Sequence, residues 1–131
     1  MLPPRLACLA AVVAALWLSA AGCGSADDQR PQTWSFISAT IIEPSCATVN
    51  CHSKITHQGG VDLSSAAAGY AALVSNPSGP TFYVYPSYPQ YSSLVTLLNA
   101  TGSTRMPPDN PLPQADIQLI ENWISSGAKN N

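Results

Sequence analysis

Apolar residues crowd the start of this chain, and the remainder is too sparse to close a core by itself. Of 60 residues of the types A, V, I, L, M, F, W, Y and C, 17 fall in residues 1–22. Residues 23–131 keep 43, about 39% of that stretch, a thin supply for a globular domain. The length of 131 residues suits one domain. A small domain with so little to bury needs a disulfide, a metal or a bound cofactor to hold it. Charge does not compensate, since only 9% of residues are charged and the net charge is −2. No basic stripe is present, which excludes nucleic acid as a partner. No acidic block is present either, which argues against a charge-extended tail.

The first residues read as an address. From Leu6 to Ala21 the only polar side chain is Ser19, and Arg5 precedes the run. This run falls short of the roughly 20 residues that a spanning helix needs. It suits the apolar region of a secretory signal peptide, with an uncleaved anchor as the other reading. The stretch Leu18-Ser19-Ala20-Ala21-Gly22-Cys23 resembles a bacterial lipoprotein signal. That resemblance implies that residues 1–22 are removed and that Cys23 is acylated as the first mature residue. Several acyl chains on one residue anchor stably. Residues 24–32 (GSADDQRPQ) then form a flexible tether with a mean reach of roughly 15–18 Å. The implied location is outside the cytoplasm, lipid-anchored to a bacterial membrane and facing the periplasm or the cell surface. Disulfides persist there.

The remaining chain, 33–131, reads as one all-α domain of four short helices with long loops. Trp34, Ile37 and Ile41 recur at helical spacing, and Pro44 predicts the end of that segment. Ser64 or Ser65 predicts the cap of a helix over SAAAGYAALV. Residues 82–91 (FYVYPSYPQY) read as extended and aromatic. A third helix is expected over 91–99, with Leu94, Leu97 and Leu98 inward. A rigid proline-rich loop over 103–113 precedes the last helix, whose stripe is Ile117, Ile120 and Ile124. Gly127 suits the position after its end.

The chemistry concentrates in Cys46-Ala-Thr-Val-Asn-Cys51-His52. With Cys8 cleaved and Cys23 lipidated, Cys46 and Cys51 are the only cysteines left. Two thiols followed at once by His is the logic of c-type haem attachment: the thiols add to the haem vinyl groups and the His ligates the iron. The usual spacing has two residues between the cysteines, and here there are four. Two other readings stay open. Cys46 and Cys51 can form a disulfide, stapling a lipoprotein that binds a partner without haem, although that leaves His52 unexplained. Cys46, Cys51, His52 and His57 also offer zinc ligands, but adjacent residues fit one tetrahedral ion poorly.

A sixth iron ligand would come from elsewhere. Met106 is the only methionine after residue 1, and Pro107 and Pro108 follow it directly. A thioether on a stiff loop suits this position, and His/Met ligation suits electron transfer. His57 is the rival ligand. Arg105 stands beside Met106 and is a candidate contact for a haem propionate. Asp62 and Asp109 read as turn residues, and Trp123 as core or, alternatively, a propionate donor. Tyr83, Tyr85, Tyr88 and Tyr91 read as cover for the domain edge and the cofactor, or as a docking face. No nucleophile set, paired catalytic carboxylates or phosphate loop is present, so an enzyme is not expected.

Taken in order, the CxxxxCH segment, Gly60-Val61-Asp62-Leu63, Met106-Pro107-Pro108 and a closing helix through Trp123-Ile124-Ser125-Ser126-Gly127 resemble the small bacterial cytochrome c domains, including those of lipoproteins and planctomycete-type modules. The resemblance covers roughly residues 33–128. It implies one covalent haem c, proximal His52, distal Met106 and redox partner proteins. It also implies first and last helices that cross, bringing Trp34, Ile37 and Ile41 against Ile120, Trp123 and Ile124. The expected function is one-electron transfer, with an apoprotein that is largely unfolded.

Overall fold

The computed structural model describes residues 28–75 and 83–131. The expected signal peptide, Cys8 and Cys23 lie outside the described residues. Among the described residues the architecture is all-α, with four helices and no strand. Among these residues no helix is long and apolar enough to cross a membrane.

The first helix, α1, covers residues 34–46 in three joined parts. An α-turn, Trp34–Ile37, leads into a π-helical segment, Ser38–Ile42, and a last turn, Glu43–Cys46. Thr33 caps it by accepting from the Phe36 N–H. Pro44 was expected to end this helix, and it does not. Glu43 stays in the right-handed helical region, although a following proline ordinarily pushes a residue out of it. The reason lies in the π segment. A proline ring ordinarily clashes with the carbonyl four residues back and forfeits a hydrogen bond. Here the turn has already widened, with the Glu43 N–H bonded to the Ser38 carbonyl. The Ser38 hydroxyl, itself fully buried, donates to the Glu43 carboxylate at 2.9 Å and locks the widened turn. The helix therefore continues far enough to deliver Cys46.

Helix α2, Ala66–Leu73, is capped as expected by Ser65, whose hydroxyl accepts from the Ala68 N–H. Helix α3 is Ser93–Asn99 and α4 is Gln114–Ser125. At the end of α4, Gly127 adopts φ +105, and the N–H groups of Gly127 and Ala128 bond to the carbonyls of Ile124 and Trp123. These paired bonds stop the helix with its last carbonyls satisfied.

The core sits where α1 meets α4. Trp34, Ile37, Ile41, Ile120, Trp123 and Ile124 are all buried in one cluster. The rings of Trp34 and Trp123 stack at 5.0 Å, with Tyr70 of α2 edge-on to both. Trp123 serves as core, its Nε1 donating to the Lys129 carbonyl at 2.9 Å. The Trp34 Nε1 donates to the Ala66 carbonyl, which ties α1 to α2. Gly69 exists for this approach. A Cβ there would lie 3.1 Å from Cζ2 of Trp34, a ring with no room to retreat. Gly69→Ala is therefore expected to destabilise despite its better helix propensity. Overpacking costs about 1–3 kcal/mol against a propensity gain of about 1, and calorimetry should record a lower Tm.

Two expectations for the connections change. Residues 83–91 are coiled rather than extended, because Pro86 and Pro89 favour turns. The Tyr88 N–H bonds to the Tyr85 carbonyl and the Tyr91 N–H to that of Tyr88. The end of the expected tether is not free either. Arg30 pairs with Asp28 at 2.7 Å and with Asp116 of α4 at 2.5 Å, so the chain is fixed to the domain from there on. The hydrogen bonds from the Arg30 side chain and then its backbone N–H hold the Asp28 carboxyl below its ordinary value.

Candidate functional site

The loop after α1 is closed by its own backbone. The Cys51 N–H bonds to the Thr48 carbonyl at 2.9 Å, and the His52 N–H returns to the Cys46 carbonyl at 3.1 Å. The two extra residues between the cysteines are thus absorbed in a turn. Beyond it, the Leu63 N–H bonds to the His52 carbonyl at 2.8 Å and the Gln58 N–H to that of Cys51. The reactive segment is framed from both sides.

Cys46, Cys51 and His52 line one cleft of about 500 Å³, within the range of cofactor sites. Its walls are chiefly apolar: Ile42 from α1, Val61 and Leu63, Leu73 from α2, and Leu94, Leu97 and Leu98 from α3. Tyr83 also borders it, as do Met106, Pro107 and Pro108. Met106 is 38% exposed, a thioether at the edge of an apolar cleft. Its N–H bonds to the Leu97 carbonyl at 3.0 Å, and its peptide bond to Pro107 is cis.

Among the described residues, the Nδ1 of His52 is buried without a hydrogen-bond partner. Such an atom costs about 1–3 kcal/mol and calls for an explanation. Both thiols are free and half-buried. Burial pushes the Cys46 thiol up from 9.0 to about 11, and the neighbouring Cys51 adds to the effect.

The other expected residues divide clearly. His57 does not line the cleft. It has left-handed backbone, φ 45, and its Nε2 lies 3.5 Å from the Asp62 carboxylate. Asp62 is the turn residue expected: its carboxylate accepts from the Ser64 N–H at 2.9 Å. The Ser64 bonds, and then His57, hold that carboxyl below its ordinary value. Among the described residues no three His, Cys, Asp or Glu side chains converge to hold a metal ion. Haem iron takes only two axial ligands from the chain, so this does not bear on it.

Arg105 turns back on its own loop. Its Nε donates to the Pro107 carbonyl at 3.2 Å and its Nη2 to that of Pro108 at 2.8 Å. The sequence signal for this was the Pro-Pro pair, which leaves carbonyls that no regular ladder pairs. Tyr85, Tyr88 and Tyr91 do not border the cleft. They form an exposed ring cluster, with centroids 5.5 and 6.1 Å apart.

The donor set fits a haem: two thiols, one imidazole with an unsatisfied nitrogen and one thioether, around an apolar cleft. A metal-bound imidazole gives its other N–H to an acceptor, so one of the two His52 nitrogens still requires a partner. No family model, curated protein or solved structure matches the chain.

Proposed function

We propose that this chain is an exported, lipid-anchored monohaem c-type cytochrome that passes single electrons between redox partner proteins. One observation carries the reading: Cys46, Cys51, His52 and Met106, drawn from two distant parts of the sequence, border the same apolar cleft. Cys46 and Cys51 would hold the haem through thioethers, and His52 and Met106 would ligate its iron. The bound group would supply reversible one-electron chemistry. The chain's own contribution is to exclude water with leucine and isoleucine walls. It also fixes the two attachment points on a hydrogen-bonded loop. The anchor would be Cys23, with the membrane contacted by lipid alone.

The test is a reduced-minus-oxidised visible spectrum of denatured protein from an exporting host with haem-attachment machinery. The peptide carrying Cys46 and Cys51 is weighed alongside. The expected result is haem that survives denaturation on that peptide. A colourless protein whose peptide is lighter by two hydrogens would establish the disulfide lipoprotein instead. Met106→Ala should then keep the covalent haem, lose the spectrum of methionine-ligated iron and lower the reduction potential. An unchanged spectrum would remove Met106 as a ligand.

A further inference from the structure

We infer that Arg105 is the positioning residue for Met106, acting through the loop backbone. The inference rests on the haem reading above. A methionine side chain has three rotatable bonds and adapts to whatever surrounds it, so a defined sulfur position must come from the backbone that carries it. That backbone is held on both sides. Before the thioether, the Met106 N–H bonds to the Leu97 carbonyl at 3.0 Å and the Arg105 N–H to the Gly102 carbonyl at 3.3 Å. After it come two prolines, neither of which has an N–H to donate. The chain cannot tie itself down there, and the guanidinium does so.

The fork of Arg105 spans the two successive carbonyls of Pro107 and Pro108, at 3.2 and 2.8 Å. Both prolines border the cleft with Met106. A planar guanidinium presents such donors in fixed geometry, and a lysine ammonium does not. This separates the clamp from the rival role as a propionate counter-charge, which either residue type could fill.

The experiment uses haem-loaded full-length protein with Arg105→Lys and Arg105→Gln. Three quantities are read: the charge-transfer band of methionine-ligated ferric haem, the reduction potential, and amide hydrogen exchange at Met106. Both variants should keep covalent haem and helix content. Both should weaken the band and lower the potential, and Met106 exchange should rise at least about tenfold. Arg105→Lys keeps the charge and most of the aliphatic stem, which guards against a variant that simply fails to fold. A lysine variant with wild-type band and potential, beside a glutamine variant that loses them, would make the role one of charge and overturn the clamp. Unchanged values in both would also overturn it. Failure of the haem reading looks different: wild-type protein is then colourless.

Discussion

Cys46→Ser combined with Cys51→Ser should yield a colourless chain without a cooperative melting transition, even from a host that exports and attaches haem. Serine hydroxyls form no thioethers, so the cleft of about 500 Å³ has nothing covalent to fill it. Its walls, including Ile42, Leu63, Leu73, Leu94, Leu97 and Leu98, then face water. Each Å² of apolar surface returned to water costs about 25 cal/mol, and on the haem reading the macrocycle would cover these side chains. Domains of this size carry only about 5–15 kcal/mol of net stability. The α1/α4 crossing is made by other residues and should keep residual helix. Visible absorption and calorimetry check both parts. A colourless double variant that melts like the wild type would show that the cleft needs no occupant, and the account of the thin core would fall with it.

Trp123→Ala should come close to abolishing the fold. Trp123 is 1% exposed, stacked on Trp34 and edge-on to Tyr70. Truncating a buried aromatic of this kind costs about 3–5 kcal/mol. The loss also strands the Lys129 carbonyl that Nε1 now satisfies. At about 4–8 °C per kcal/mol for a domain near this size, Tm should drop by well over 10 °C, or the transition should vanish. Trp123→Phe retains a ring against Trp34 and should lose less. An alanine variant within a few degrees of wild type would mean that the helix crossing is not the structural centre.

The helices were legible because their signals are local. Ser65 caps α2 through a bond to Ala68, three residues on. Ile117, Ile120 and Ile124 repeat at helical spacing, and Gly127 takes the backbone conformation that glycine tolerates. The misreadings were also local rules, overruled by neighbours. Pro44 was read as a stop because the rule presumes a regular turn, and the π segment locked by Ser38 and Glu43 is not one. The tyrosine run reads as extended and aromatic, and the turn preference of its prolines overrules that. Arg105 is a different case: its charge makes it a candidate propionate contact, and the structure adds bonds from its guanidinium to the Pro107 and Pro108 carbonyls, which charge alone does not announce.

The sequence by itself determined the reactive segment. Cys46, Cys51 and His52 are close in the chain, and a bond from His52 back to Cys46 suffices to gather them. Only the tertiary structure decided that Met106 borders the same cleft while His57 turns away to Asp62. The reason is range. Caps, turns and helix periodicity act over a few residues. Bringing a distant loop to the end of α1 depends on how α1, α3 and α4 pack, with buried Trp34 and Trp123 at the crossing. That packing is a property of shape and volume, and no short stretch of sequence carries it.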